Sequence, residues 1–323
     1  MRGGAVNIPN SQIVNGRQFF RLPTTPLVRR NPNWADIDLK RGDGSSWYNG
    51  LQASVQKRFS QNYQFQVSYT FSRSIDDGSG FLFNDTSSGV SDPQDPFDPK
   101  AERGLSAFDT RHNLTFNATY DLPFMQKQEG LVGKLLGGWQ INTIAAMRSG
   151  NPFTVGVRGD RAGAGLRRAG QTRPDVLSGV NFNQAILGIS GFKRTGKYYD
   201  PSIFRLQDPG FIGNVGRNTL IGPNFKNVDV SFVKSTKLAL LGESGSLQFR
   251  FEIFNVLNRA NFAIPDVFVF TGAATTPTIN PLACPAPFDP TQFKYECPLS
   301  TAGTITSTIT DARQIQLGLK LIF

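Results

Sequence analysis

The sequence predicts an all-β fold, an antiparallel transmembrane β-barrel segment of about eight strands. Three observations predict it. Apolar and polar residues alternate with a period of two along seven segments of the chain. The polar positions of these segments are rich in Gln, Asn, Ser and Thr, as in a water-filled lumen. The connections between the segments alternate between short and long, as they do in an outer-membrane barrel.

The final segment gives the clearest strand. Its apolar side consists of Ile315, Leu317, Leu319, Leu321 and Phe323. The other side carries Gln314, Gln316, Gly318 and Lys320. A strand that crosses a bilayer needs about 9–11 residues, more than the five or six that are usual in soluble sheets. We therefore expect this apolar side to contact lipid rather than a protein core.

The other strands follow the same rule. The predicted segments are 51–59, 63–73, 111–121, 139–148, 227–234 and 247–257. Segment 139–148 is the least regular, because Ile144 and Ala146 interrupt its polar side. A poorer segment at 34–41 would make an eighth strand.

The connections provide an independent argument. The long connections are expected at about 74–110, 149–225 and 258–312, and the connections between them are shorter. Antiparallel strands place alternate connections at opposite ends, so all three long loops are expected at the outer end of the sheet. Soluble β-sandwiches also alternate, because one face packs on a core and the other meets water, and that alternative stays open here.

Composition excludes some classes of protein. The chain has 323 residues, a formal net charge of +10 and no apolar stretch long enough for a transmembrane helix. Its cations are spread through strands and loops, which disfavours a nucleic-acid partner. The densest group, Arg161, Arg167, Arg168 and Arg173, is interpreted as part of a solvated outer loop.

The polar side of the predicted strands carries six charged candidates for a lumen lining. They are Arg58, Arg148, Asp229, Arg250, Glu252 and Lys320. Such groups either line a substrate path or neutralise one another in a confined space, and both interpretations remain open. No individual ligand contact is assigned to them.

Nothing in the sequence predicts catalysis. The only histidine, His112, follows Asp109, so a Ser-His-Asp arrangement is imaginable. However, His112 shares the lipid-facing side of its strand with Leu114 and Phe116, and no nucleophile is placed beside it. We expect neither an enzyme nor a cofactor.

The metal and disulfide candidates lie in the long loops. Asp76, Asp77 and Asp92 are weak calcium candidates, since no fixed ligand spacing appears and Asp-Pro pairs are ordinary turn formers. Cys284 and Cys297 share one long loop. They are either two free thiols or a disulfide, and an oxidising compartment favours the disulfide.

Several strings of residues, in order along the chain, resemble the C-terminal barrel region of TonB-dependent receptors, in particular the Oar-like outer-membrane protein group. They are 47–52 (WYNGLQ), 67–77 (VSYTFSRSIDD), 102–104 (ERG), 108–113 (FDTRHN), 138–141 (GWQI), 149–154 (SGNPFT), 213–218 (GNVGRN) and 249–258 (FRFEIFNVLN). The final strand resembles the assembly signal of such barrels, through Leu317, Leu319, Leu321 and Phe323.

The resemblance implies a receptor in the outer membrane of a Gram-negative bacterium, which binds and imports a scarce or large nutrient with TonB energy coupling. The implied partners are outer-membrane lipid and lipopolysaccharide, the barrel assembly machinery and a TonB complex, without nucleic acid. Such receptors also have a signal peptide, a plug domain and a TonB box. None is visible here, so we expect residues 1–323 to be the C-terminal portion of a larger barrel. The alternatives are an outer-membrane adhesion or surface protein without transport, and a secreted carbohydrate-binding β-sandwich.

Overall fold

Seven long strands form one continuous antiparallel sheet in the computed structural model of the chain. The structure describes residues 2–3, 11–20, 37–38, 44–79, 93–95, 98–163, 172–238, 245–272 and 297–322. Each strand pairs with its neighbours in sequence, which confirms the seven predicted strands. They are β1 (Ser46–Ser60), β2 (Tyr63–Asp76), β3 (His112–Asp121), β4 (Trp139–Arg148), β5 (Phe225–Lys237), β6 (Ser246–Phe254) and β7 (Gln314–Ile322).

The eighth strand of the sheet is not the one predicted at 34–41. Within that range only Ile37–Asp38 is described, and it pairs with Arg2–Gly3 rather than with the sheet. The rest of 34–41 lies outside the described residues. The short strand Gly104–Leu105 pairs instead with the end of β2 and completes the eight-stranded sheet.

The register keeps apolar residues on one face across all the strands. One row of directly paired residues runs through Tyr63, Tyr120, Ile141, Phe232, Phe251 and Leu317. At the two edges this face remains open, since Leu51 is 66% exposed and Leu319 is 71% exposed. A face of this kind needs an apolar solvent, because water would leave a large apolar patch uncovered.

The opposite face is polar with a few apolar exceptions, among them Ile144 and Val233. Thr119 Oγ1 donates to Asn142 Oδ1 at 3.0 Å, and Gln140 Nε2 donates to Asp121 Oδ1 at 2.7 Å across the same pair of strands. Ile144 pairs with Asn117 and Asp229 on this face, and it is 61% exposed. The irregularity in the predicted strand 139–148 is therefore real.

Short and long connections lie at opposite ends of the sheet. The shorter ones are 61–62, 122–138 and 238–245, and the longer ones are 77–111, 149–224 and 255–313. We call these the turn end and the capped end. At the turn end, Gln61 and Asn62 both have positive φ, of 53° and 69°. Two consecutive left-handed residues match the twist of the flanking strands in a tight hairpin.

The remaining helices and strands lie in the connections. Helix α1 (Gly130–Leu136) lies at the turn end, and α2 (Phe182–Ala185) and α3 (Gly188–Thr195) lie at the capped end with the 3-10 turns Pro99–Glu102 and Pro201–Ile203. Short strand pairs are Ser11–Val14 with Arg17–Phe20, Pro152–Phe153 with Leu220–Ile221, Gly156–Val157 with Phe268–Phe270, and Asp175–Val176 with Phe204–Arg205.

The hydrophobic core lies in the long connections and not on the sheet. Its largest members include Phe153, Tyr199, Phe204, Leu220 and Phe270, all at most 1% exposed. We call the described residues of the three long connections, together with residues 11–20, the cap. None of the described helices has the length and apolar content needed to cross a bilayer.

Candidate functional site at the capped end

A buried arginine joins the end of β2 to the cap. The Arg217 guanidinium donates to Asp76 Oδ1 at 2.6 Å, and also to the Asp76 main-chain oxygen. It further donates to the carbonyl oxygens of Glu102 at 2.7 Å and Ser79 at 2.9 Å. The Arg217 and Asp76 side chains are only 3% and 8% exposed, so the pair lies out of water. One side chain thus connects three separate segments of the chain.

A second buried pair lies beside the first. Arg173 donates to both carboxylate oxygens of Glu102, at 2.9 Å and 2.7 Å, in a bidentate arrangement. Gln94 supports it, because its backbone N–H donates to Glu102 Oε1 at 2.9 Å and its own Oε1 accepts from the Arg173 backbone at 2.7 Å. This cluster ties the connection 77–111 to the connection 149–224.

The burial of Arg173 corrects one prediction. Arg161 is 0% exposed and Arg173 is 4% exposed, so the described part of this arginine group is not a solvated loop. Arg167 and Arg168 lie outside the described residues. The prediction was wrong because charge density along the sequence does not reveal whether a carboxylate such as Glu102 is close in space.

Close to these ion pairs, Thr154 and Asn218 are joined by two hydrogen bonds. Thr154 Oγ1 donates to Asn218 Oδ1 at 2.9 Å, and the Asn218 backbone N–H donates to Thr154 Oγ1 at 2.8 Å. Asn218 Nδ2 reaches the Leu105 carbonyl at 2.7 Å. Gly104 packs so closely that a Cβ on it would lie 2.7 Å from the Arg217 carbonyl oxygen. Residues from the strings 102–104, 149–154 and 213–218 therefore contact one another.

Asparagines brace the outer ends of β5, β6 and β7. Asn255 donates its backbone N–H to Asp229 Oδ1 at 2.8 Å, and its side chain to the Asp311 carbonyl at 3.1 Å. Asn261 accepts from the Lys226 backbone at 2.9 Å and donates back to the Lys226 carbonyl at 3.0 Å. Sequence reasoning assigned no role to either residue, although both belong to, or closely follow, the string 249–258.

The hairpin at 11–20 is fastened to the cap by a third ion pair. Arg17 donates to Asp175 at 2.7 Å and 3.1 Å and to the Ile212 carbonyl at 2.6 Å. Asp175 is also 3.5 Å from Arg205 and accepts from the Asn214 backbone at 2.9 Å. Beside this cluster is an open cavity of about 430 Å³, lined by 176–180, Arg205 and Asn214.

The six predicted lumen residues are not drawn into one cluster. The register places Arg148, Asp229, Arg250, Glu252 and Lys320 on the polar face, whereas Arg58 lies where the register shifts between Lys57 and Ser60. Their contacts are local. Asp229 accepts from Asn227 at 2.9 Å, Arg250 donates to Gln248 at 2.8 Å, and the Arg148 guanidinium carbon is 4.7 Å from the Phe225 ring centroid.

His112 lies at the rim of the apolar face. Its Nδ1 is 2.8 Å from the Tyr69 hydroxyl, and its ring centroid is 5.2 Å from that of Phe71. Asp109 is engaged elsewhere, because its Oδ1 accepts from the Ser74 backbone at 2.6 Å. The contacts of His112 are thus those of an aromatic side chain at the capped end of strand β3.

Protein donors surround the described calcium candidates. The Asp76 carboxylate accepts from Gly78, Ser79 and Ser106 as well as Arg217, and Asp77 Oδ1 accepts from the Ser45 backbone at 2.8 Å. Asp92 lies outside the described residues. Within the described ranges, no group of three or more His, Cys, Asp or Glu residues is arranged to hold a metal ion. Cys297 is buried and disulfide-bonded, and Cys284 lies outside the described residues.

The core of the cap changes the acidity of three neighbouring groups. Burial raises the pKa of the Tyr198 and Tyr199 hydroxyls, which donate to the carbonyls of Ile221 and Asp266. Burial also lowers the pKa of Lys197, whose ammonium donates to the Ala302 carbonyl at 2.7 Å. All three groups act as hydrogen-bond donors that fix one loop of the cap to another.

These observations define a class of protein. An antiparallel sheet with an exposed apolar face, a polar opposite face and long connections at one end is the arrangement of a membrane-spanning β-barrel. The outer membrane beta barrel domain family matches residues 6–316, and the chain belongs to this family. The protein is therefore an outer-membrane protein, and the alternative of a secreted β-sandwich is wrong. No curated protein and no solved structure matches the chain.

Proposed function

We propose that this chain forms the C-terminal barrel region of a TonB-dependent receptor of the Oar-like group, in the outer membrane of a Gram-negative bacterium. Its task would be to bind and import a scarce or large nutrient. The observation that carries the proposal is the cap. Two of the three long connections, 149–224 and 255–313, share a buried core, and the connection 77–111 is joined to 149–224 by the Arg173–Glu102 pair. The Arg217–Asp76 pair fastens the cap to the end of β2.

The position of the motifs supports this proposal. The strings that resemble the receptor family supply Arg217, which pairs with Asp76 at the end of β2, and the polar contacts Arg217–Glu102 and Thr154–Asn218 within the cap. A rigid cap can hold a binding surface in one place, as scaffold-supported loops do in many binding proteins. Outer-membrane barrels have long loops on the outside and short turns at the periplasmic side, so the capped end would face outward and the turn end would face the periplasm.

The polar face supports transport rather than catalysis. It carries Gln, Asn, Ser and Thr across the strands, with charged residues between them, and these are suited to a wetted path for a polar nutrient. We propose that the protein performs no chemistry on its ligand. Energy would come from a TonB complex acting through a plug domain.

Two further partners follow from the sheet. We propose that Leu317, Leu319, Leu321 and Phe323 are recognised by the barrel assembly machinery, since β7 is an edge strand whose described leucines are all at least 50% exposed. Phe323 lies outside the described residues. We also propose that the outward rim contacts lipopolysaccharide, where Trp47 and Tyr48 are exposed and Arg103 lies 4.5 Å from the Trp47 ring centroid.

The test is an uptake experiment in cells that produce the complete protein. Labelled ferric siderophores, oligosaccharides and peptides are offered to wild-type cells, to a deletion strain, and to wild-type cells treated with a protonophore. We expect one probe to accumulate only in untreated wild-type cells, while the protonophore leaves surface binding intact. Binding without accumulation of any probe would support the adhesion alternative instead, and accumulation despite the protonophore would rule out TonB coupling.

A further inference from the structure

Helix α1 presents an apolar surface at the turn end of the sheet. Leu131, Val132, Leu135 and Leu136 are 88%, 59%, 69% and 47% exposed. Their spacing of one, three and four residues places them along one side of the helix. Phe124 and Met125, earlier in the same connection, are about half exposed as well. So much apolar surface on one short segment requires a partner.

The connection that carries α1 is firmly attached to the sheet. Gln128 Nε2 donates to the Ser235 carbonyl at 2.8 Å, and the Ser235 backbone N–H donates to the Gly138 carbonyl at 3.0 Å. Gln126 reaches the side chain of Asn62 in the hairpin turn at 3.1 Å. The exposed leucines are therefore held at a fixed height relative to the ends of the strands.

Contacts at the end of α1 indicate the side of the sheet on which it lies. Lys234 projects from the apolar face, in register with Trp139 and Phe249. Its ammonium donates at 2.6 Å to the carbonyl of Gly137, which directly follows α1. It also lies 5.6 Å from the Trp139 ring centroid. The helix therefore ends on the apolar side of the sheet.

That side carries other residues that are typical of a membrane interface. Tyr63, Tyr120 and Trp139 all lie on the apolar face near the turn end, and Lys57 Nζ is 3.6 Å from the Tyr63 ring centroid. Aromatic rings and lysines with long apolar stems are enriched where acyl chains meet headgroups. The apolar surface of α1 thus continues the lipid-facing surface of the barrel at interface depth.

The charges near α1 are mainly positive. Lys127 precedes the helix and Lys134 lies in its last turn, with Glu129 as the only acidic residue in 122–138. Lys234 and Lys237 come from the end of β5. A groove of about 450 Å³ runs along the start of the helix and is lined by apolar and polar residues, with Lys127 and Glu129 as its charged members: Pro123, Met125–Glu129, Val132 and Gly133. This combination complements an anionic phospholipid, which has an acyl chain and a phosphate.

We propose that α1 is an interfacial anchor, which lies in the membrane leaflet at the turn end and binds anionic phospholipid. Leu131, Val132, Leu135 and Leu136 enter the boundary between headgroups and acyl chains, and Lys127 and Lys134 contact lipid phosphates. The anchor fixes the height of the sheet in the bilayer at the end opposite the cap. This inference depends on the membrane location of the barrel but not on what the protein transports.

A lipid-depth experiment tests the proposal. Leu135→Cys is labelled with an environment-sensitive nitrobenzoxadiazole dye in protein purified from the outer membrane and placed in vesicles of phosphatidylethanolamine and phosphatidylglycerol. The disulfide-bonded Cys297 does not react with the reagent. Leu319→Cys serves as the control on the apolar face, and Ser178→Cys serves as the control on the cap surface. All three sites lie in the described chain, and each tolerates a label because it is not buried.

We expect shallow nitroxide lipids to quench the label at Leu135 at least about three times as strongly as the label at Ser178. The label at Leu135 should also be shielded from iodide. The label at Leu319 should respond best to deeper nitroxides. Replacing phosphatidylglycerol with phosphatidylcholine should weaken the quenching at Leu135, and the double variant Lys127→Gln, Lys134→Gln should remove that difference. Iodide quenching as strong as at Ser178 would overturn the proposal. So would protection from both quenchers, which would place α1 against protein.

Discussion

Replacing Arg217 with alanine tests whether the buried ion pair between Arg217 and Asp76 holds the cap on the sheet. Arg217→Ala removes the ion pair with Asp76 and the hydrogen bonds to the carbonyls of Glu102 and Ser79. The Asp76 carboxylate would remain buried without its cationic partner. We expect the cap to detach locally from the end of β2 far more often than in the wild type, while the sheet stays in the membrane.

The magnitude follows from the burial of the pair. Removing one partner of a buried ion pair usually costs about 3–5 kcal/mol. Here the cost should lie at the lower end of that range, because Asp76 keeps donors from Gly78, Ser79 and Ser106. A loss of about 3 kcal/mol raises the equilibrium constant for opening on the order of 100-fold.

Amide hydrogen exchange in lipid vesicles measures this opening. The probes are the backbone N–H groups of Ser106 and Ala107, which donate to the Ser74 carbonyl at 3.0 Å and to Ser79 Oγ at 2.7 Å. Arg205→Ala is the matched control, because that arginine is 41% exposed and lies 3.5 Å from Asp175. Because Arg205 is partly exposed and the buried Asp175 keeps its closer partner Arg17, losing this contact should cost under about 1 kcal/mol, so exchange should rise less than about fivefold. An equal increase in amide exchange for the two substitutions would refute the role assigned to the buried Arg217–Asp76 pair.

Three further predictions concern other parts of the molecule. Leu319→Arg on the apolar face of β7 should lower the free energy of unfolding in vesicles by about 2–4 kcal/mol, and Gln316→Arg on the polar face should change it little; similar values for both would contradict the assigned faces. Gly150→Ala should destabilise the cap by about 1–3 kcal/mol in thermal unfolding, because the new Cβ would lie 1.8 Å from the Gly222 carbonyl oxygen, whereas Gly78→Ala has open space and serves as the control. Tyr198 and Tyr199 have a raised pKa in the fold, so their stabilising effect is complete below about pH 10 and is lost as the pH rises above it. Tyrosinate absorbance should therefore show Tyr198 and Tyr199 ionising only as the cap unfolds, and their ionisation in the folded protein near pH 10 would disprove their burial.

The strands could be predicted because their signal is local. Alternation along β7 or β2 depends only on which solvent each face meets, and no distant residue is needed to see it. The predicted strand 34–41 had a weaker pattern, and no partner strand for it could be identified from the sequence; its described part, Ile37–Asp38, pairs with Arg2–Gly3. Ile144 shows the limit of the rule, because a single apolar side chain on the polar face does not break the hydrogen-bonded ladder.

The cap could not be predicted because its contacts are distant in sequence. Arg217 and Asp76 are separated by 141 positions, and Arg173 and Glu102 by 71. The strings that contain Arg217 and Glu102 were conspicuous, but nothing in them indicated that they meet. Arg173 was misjudged because its neighbours in sequence are basic and glycine-rich, which is also the composition of a solvated loop. Apolar residues of the cap core, such as Phe204 and Leu220, have no regular spacing that would reveal a shared interior.

The two kinds of contact also imply an order of assembly. Each of the seven long strands pairs with the long strand before or after it in the chain, so hairpins can form one at a time as the polypeptide is delivered to the membrane. The Arg17–Asp175 pair spans 158 positions and must wait for both segments to arrive. Closure of the cap is therefore a late event. A stalled intermediate would contain inserted hairpins with Asp76, Glu102 and Asp175 still exposed to water, and it would be the form most open to proteases.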